Sequence, residues 1–261
     1  MANAIIGGLR QQGFAASDLQ VVEPIAAIRE KLATVFGVRC VATIDTSALD
    51  CDVLVLAIKP QQAHEVLSHL GVAGNTHLII SIMAGVTLWT ISRHLGGYTR
   101  LVRTMPNTPA LIGAGITGYY PHPDGVSVSD IAATETILKA MGSTVRVGYQ
   151  EQLDAITAVS GSGPAYVFHF IEALRDAGVE LGLSADAANK LAIETVLGAA
   201  KLAAQSADDV SVLRQRVTSK GGTTEAALAS MARDHFREII IRAVKAANDR
   251  SRELGDELGK A

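Results

Sequence analysis

The stretch "VTSKGGTTEAAL", Val217 to Leu228, carries the sharpest chemistry in the chain. Gly221 and Gly222 predict a flexible turn, and a helix is predicted to begin near Glu225, just after Thr223 and Thr224. Successive backbone N–H groups at a helix N-terminus form an anion site, and here two hydroxyls stand beside it. The same residues also read as a threonine N-cap after a glycine turn and nothing more. "VSGSGPAY" has a similar double character. Ser162 or Gly163 can cap a helix with Pro164 in its first turn, and glycines flanking a serine also let backbone approach a ligand closely. Three further clusters follow apolar runs: "KPQ" after "DVLVLAI", "MAGV" after "HLIISI" and "MPNTP" after "YTRLVRT". Each alone is ordinary turn chemistry. Three along one sheet edge favour a bound nucleotide, because ligands of open α/β sheets sit at the carboxyl ends of the strands. Glu23 ends "LQVVE". In a dinucleotide fold an acidic residue there bonds the adenosine ribose hydroxyls and repels a 2'-phosphate; a solvated carboxylate before Pro24 is the plainer alternative.

Other chemistries find no residues to carry them. The seven histidines are scattered, and none has metal-ligand spacing with Cys or Asp, so no metal is expected. There is no G-x-S-x-G elbow for acyl transfer. Nothing marks a general base, which suits hydride transfer to a group that is already electrophilic.

Positioning these loops needs a particular order of elements. Met1 to Gln12 predicts a short helix stopped at Gly13, and "DLQVVEP" predicts a buried strand. Helix then strand is the second half of a β-α-β unit whose first strand is not in the sequence. Pro24 and Pro60 are placed to open helices, and "HLIISI", "YTRLVRTM", "GITGYY" and "STVRVG" read as further strands. Apolar strands separated by helices predict a doubly wound parallel sheet over residues 1–149. Residues 150–261 show only helical periodicity, with long helices from Pro164 to Leu181 and from Ser184 to Gln205 and shorter ones after them. The helix from Ser184 is rich in Ala and Leu around much of its circumference, so it needs a partner chain to bury it, most simply in a two-fold dimer.

With 261 residues, 48% of them hydrophobic, and a net charge of -3, the chain is globular and nearly neutral, which argues against nucleic acid as a partner. No apolar run is long enough to span a bilayer, and no signal peptide is read. Cys40 and Cys51 read as reduced core thiols, and together these features predict a cytoplasmic protein.

"AIKPQ", "SIMAGV", "RTMPNTP", "AVSGSGPAY" and "VTSKGGTTEAAL", in this order and at these distances, resemble 1-pyrroline-5-carboxylate reductases over nearly the whole chain. The resemblance implies a Rossmann domain followed by an all-helical domain that interlocks in homodimers, often assembled into decamers. It implies reduction of the cyclic imine 1-pyrroline-5-carboxylate to L-proline with NADPH or NADH. Ala57, Lys59, Pro60 and Gln61 then match strand-end cofactor contacts, Ala84 and Gly85 the stretch near the nicotinamide, and Asn107 its "PNTP" loop. Ser162, Gly163 and Pro164 match the turn beneath the nicotinamide. Ser219, Gly221, Gly222, Thr223 and Thr224 match the loop whose N–H groups hold the substrate carboxylate, with the Thr224 hydroxyl facing the ring nitrogen. Three departures stand out. Lys220 replaces a usual Pro, and Ile44 stands near a usual polar Asn. Members also begin with a strand and a Gly-Gly-Gly-Asn turn, and Met1 aligns just after that turn. The expectation is either an in-frame strand and glycine loop just upstream, or weak cofactor binding by a chain acting as a dimeric scaffold.

Overall fold

The computed structural model describes residues 1–71 and 76–259, so the last two residues of the 150–261 segment lie outside the described part. The chain divides into two compact units, Met1–Ser162 with Ala247–Ala261, and Gly163–Ala246.

In the first unit, α1 (Ala2–Gln11) ends before Gly13, whose φ of 95° reverses the chain as the sequence predicts. β1 (Gln20–Val22) and β2 (Arg39–Val41) pair in parallel across α2 (Ala26–Phe36), which Gly37 terminates in the left-handed region. A five-stranded sheet follows in the order β3-β4-β5-β6-β7: Val53–Leu56, Leu78–Ser81, Leu101–Met105, Gly115–Pro121 and Gly142–Arg146. The two sheets share no strand pairing among the described residues. The connections are α3 (Ala63–Leu70), α4 (Leu88–His94) and α5 (Val128–Lys139), after which α6 (Gln152–Ile156) follows β7.

β4 shows why its sequence is apolar without alternation. Leu78 and Ile80 join Ile5 and Leu9 of α1 and Leu138 of α5 in one cluster. Ile79 joins Leu67 of α3 and Leu88 and Ile91 of α4 in another. Successive side chains point to opposite faces, and both faces are covered.

Several expectations need correction. β1 is half-buried rather than buried, with Val22 39% exposed, because it lies in a two-stranded sheet. β2, three residues long, gave no separate signal. The strands are parallel across β3–β4–β5 and β6–β7, but β6 runs antiparallel to β5. The segment joining β5 to β6 holds only the 3-10 turn Thr108–Ile112, too little chain for a parallel crossover. Pro24 lies outside α2, before its N-cap Ile25. Both cysteines are free, but Cys51 is exposed and is no core thiol.

The second unit is wholly helical. α7 (Gly163–Glu180) and α8 (Ala185–Gln205) pack as a hairpin through a turn at Gly182, with Ser184 capping α8. α9 (Val210–Arg216) and α10 (Thr223–Arg233) follow. α11 (Phe236–Gly259) is the longest helix described, where the sequence predicted only shorter ones, and its residues from Ala247 belong to the first unit. Among the described residues no helix is long and apolar enough to cross a membrane.

Candidate active site

The three strand-end clusters come together as expected. β3, β4 and β5 are adjacent and parallel, so the residues after them share one edge of the sheet. After β3, Ala57 leads to Lys59, whose extended backbone (φ -71°, ψ 143°) opens the 3-10 turn Pro60–Gln62. Pro60 is its first residue, Gln61 is exposed, and the Gln62 carboxamide closes the turn by accepting the Lys59 N–H at 3.2 Å. After β4 comes the turn at Ala84 and Gly85. Gly85 is buried with φ 76°, a conformation that a Cβ would strain. The turn is anchored at both ends. Ser81 Oγ accepts the Met83 N–H at 3.3 Å, and the buried Gln150 accepts the Leu88 N–H at 2.6 Å.

After β5, Asn107 is 9% exposed, and its amide is engaged through both its nitrogen and its oxygen. Nδ2 donates to Ser160 Oγ at 3.1 Å, and Oδ1 accepts the Ile116 N–H at 3.0 Å. Asn107 therefore ties the loop before β6 to the segment leading into α7. Glu23 is half-buried at the end of β1. One of its oxygens accepts the Ile25 N–H at 2.9 Å, so it is more than a solvated carboxylate. Arg29 Nη1 donates to the Glu23 and Pro24 carbonyls at 2.8 Å, which places a cation beside this acid.

Ser162 does not cap α7. Its backbone is helical (φ -86°, ψ -20°), and the five residues before it, Thr157–Gly161, form a π-helical turn closed by Ser162 N–H to Thr157 O at 2.8 Å. Pro164 has no N–H and its ring would crowd the Ser160 carbonyl, so a widened turn relieves the conflict there. Gly163 and Pro164 begin α7.

In the second unit, Gly222 rather than a threonine is the N-cap of α10, and no side chain caps it. Thr223 and Thr224 are the first two helical residues, so the helix starts two residues earlier than the sequence suggested. Gly221 has φ 73°, and its N–H is held by the Glu225 carboxylate at 2.6 Å. Ser219 and Lys220 form the exposed lead into this turn. Neither threonine hydroxyl is spent on capping, while the Gly222 N–H is held by the Ser219 carbonyl at 3.0 Å and the Glu225 carboxylate lies in the first turn.

Sequence reasoning did not find a buried polar group beneath the sheet edge. Arg103 on β5, 5% exposed, faces Asp154 of α6 at 3.8 Å, and Asp154 accepts a hydrogen bond from Ser251 of α11 at 2.8 Å. Burial pushes the Arg103 guanidinium below its ordinary value, while the Asp154 and Glu151 carboxylates pull it back up. The positions lie too far apart in sequence for any local pattern to join them. Ile44, where a polar contact was sought, packs against the cluster around Leu56 and Leu67. A cleft of about 300 Å³ beside α1, lined by Asn3, Gly7, Gln11, Phe36 and Leu111, contains none of the predicted site residues. Among the described residues no group of three or more His, Cys, Asp or Glu side chains is arranged to hold a metal ion.

A pyrroline-5-carboxylate reductase from Pseudomonas aeruginosa is 41% identical over 261 residues, covering 100% of this chain and 95% of the relative. The chain belongs to the pyrroline-5-carboxylate reductase family. A second family member, from Synechocystis, is 41% identical over 256 residues, covering 98% of this chain and 95% of the relative. The family model for pyrroline-5-carboxylate reductase dimerisation matches residues 150–254, and one described as NADP oxidoreductase, coenzyme F420-dependent, matches residues 1–85. The solved pyrroline-5-carboxylate reductase of Coxiella burnetii aligns with a TM-score of 0.92 at 38% identity, covering 97% of this chain and 94% of that one. The Plasmodium falciparum pyrroline carboxylate reductase, solved with NADP bound, aligns with a TM-score of 0.85 at 29% identity, covering 97% and 93%.

Proposed function

We propose that this chain reduces 1-pyrroline-5-carboxylate to L-proline with NADPH or NADH, as a homodimer joined through its helical part. The observation that carries the reading is the end-to-end match to family members, with the loops that do the chemistry retained. The first unit fits a dinucleotide. Three parallel strands end side by side, a buried glycine turn leaves room for backbone contact, and α1 opens with no side-chain cap, free to meet a phosphate. Glu23, Ala57, Lys59, Pro60, Gln61, Ala84, Gly85, Ser162, Gly163 and Pro164 are its proposed contacts. Asn107, whose amide is engaged within the protein, holds the loop that shapes the site.

When bound, the nicotinamide supplies the hydride. The protein's own work is placement. Backbone N–H groups of Thr223 and Thr224 bind the substrate carboxylate, with Ser219, Gly221 and Gly222 shaping the turn, in which the Gly222 N–H is held by the Ser219 carbonyl at 3.0 Å. The Thr224 hydroxyl hydrogen-bonds the ring nitrogen and selects the face presented. An imine carbon is already electrophilic, so positioning rather than a general base supplies the acceleration, and the nitrogen takes its proton from solvent.

The reading extends to a cytoplasmic location and to dimers assembling further, up to a decamer. Mass measurement in solution tests the assembly. The deciding experiment for the activity is NADPH oxidation by the purified protein on addition of 1-pyrroline-5-carboxylate. Substrate-dependent oxidation is expected, and a rate no higher than without enzyme would discard the reading.

A further inference from the structure

The buried group Arg103–Asp154–Ser251 takes no part in the chemistry above, yet it lies where the β4 turn is made. Ser81 and Arg103 are register partners on β4 and β5, and Ser81 also fixes the first N–H of that turn. One oxygen of Asp154, Oδ1 on α6, both faces the Arg103 guanidinium at 3.8 Å and accepts from Ser251 at 2.8 Å. Ser251 is 6% exposed, a buried hydroxyl on a helix whose neighbouring residues 252–254 are all exposed. One turn further along α11, Gly255 meets the β4 turn. A Cβ built on Gly255 would stand 3.2 Å from the Gly85 carbonyl oxygen. Residues four apart lie on one helix face, so the hydrogen bond at Ser251 and the backbone approach at Gly255 act together.

We propose that Asp154 and Ser251 are positioning residues for the reduction, pinning the end of α11 so that its Gly255 backbone sets the position of the Ala84–Gly85 turn at the cofactor edge. The proposal rests on the assignment of that turn to the cofactor. Asp154 is suited to the task because the oxygen that accepts from Ser251 also faces the Arg103 guanidinium, which orients the carboxylate toward both partners. The approach is tight: a side chain at 255 would make the Gly85 carbonyl give by a few tenths of an ångström.

The test is the dissociation constant of NADPH, read by fluorescence titration of the dimeric protein, together with its melting temperature. Ser251→Ala should weaken NADPH about three- to tenfold, roughly the worth of one buried hydrogen bond, and change the KM for 1-pyrroline-5-carboxylate at saturating NADPH less than about twofold. Ser251→Thr, which keeps the hydroxyl, should recover most of the affinity. Gly255→Ala should weaken NADPH in the same way. The double variant should lose less than the product of the two, because both act on one turn. Gly85→Ala is the control. If Gly85→Ala weakens NADPH while Ser251→Ala and Gly255→Ala leave it within about twofold, whatever the melting temperature does, the positioning role is overturned and the cofactor assignment stands. If Gly85→Ala itself leaves NADPH binding unchanged, the assignment and the positioning role fall together.

Discussion

Thr224 sits second in α10, with Gly222 capping the helix and Glu225 holding the preceding turn shut. Its hydroxyl is not spent on capping, as the proposed contact with the substrate nitrogen requires. Thr224→Ala should lower kcat about ten- to a hundredfold, the worth of one hydrogen bond to a charged group (about 1.5–3 kcal/mol), with NADPH affinity unchanged. Steady-state kinetics beside a cofactor titration decide it, and an unchanged rate takes Thr224 out of the mechanism. Glu23 makes a second case at this scale. One carboxylate oxygen is committed to the Ile25 N–H, which fixes the acid at the end of β1, the contact proposed above for the ribose. Glu23→Ser should raise the kcat/KM ratio of NADPH over NADH about fivefold, since roughly 1 kcal/mol of like-charge repulsion is removed. The Arg29 cation on the neighbouring carbonyls keeps that figure modest. A ratio that does not move would remove Glu23 from cofactor selection.

Among the elements, α5 shows how a cap becomes a pH dependence. Ser127 accepts the Asp130 N–H at 3.1 Å and Asp130 accepts the Ser127 N–H at 3.0 Å, while Arg100 pairs with Asp130 at 2.8 Å. The Arg100 hydrogen bond, followed by those from Ser127, lowers the Asp130 carboxyl to about 2 against an opposing cost of burial. A carboxyl lowered in the folded state stabilises it above the unfolded value, and that stability fades as pH falls from about 4 toward 2. Because Arg100 is partly exposed, the contribution is about 1–2 kcal/mol. Wild type should lose this stability over that window in urea melts. Asp130→Asn should start lower at pH 7 and lose less on acidification; equal slopes would remove Asp130 as the cause. The Ser127 cap rests on a local pattern, a serine with an acid three residues on. The π turn before α7 rests on none. Pro164 reads as a helix opener, and only the helical backbone already formed before it makes its missing N–H a problem to be solved by widening.

At the scale of the molecule, the helical unit lacks a core of its own. Of its described residues only Ala188 and Ala192 are buried apolar side chains, while Phe168, Leu191, Leu197 and Leu202 are 61%, 55%, 44% and 58% exposed. Fully burying one such side chain is worth about 1.5–3 kcal/mol, so a second copy covering these faces would stabilise the unit by several kcal/mol. The thermal midpoint should therefore rise with protein concentration. Leu191→Asp should shift the species seen by light scattering from dimer toward monomer or unfolded chain. A Leu191→Asp protein that remains a dimer with the wild-type melting temperature would place the interface elsewhere.

The sequence by itself determined what depends on neighbours along the chain. Continuous apolar runs such as Leu78–Ser81 announced strands buried on both faces, glycines at 13 and 221 announced turns that need positive φ, and the Ala- and Leu-rich α8 announced a partner. It also determined the family, because five loop motifs stand in a fixed order. Tertiary structure alone decided the antiparallel step at β6, because strand direction depends on where a short connection can reach. It alone decided that Gly222 rather than a threonine caps α10, since cap geometry follows the backbone and not composition. And it alone joined Arg103, Asp154 and Ser251, because a buried charge is satisfied by whatever folding brings beside it, and sequence distance carries no trace of that.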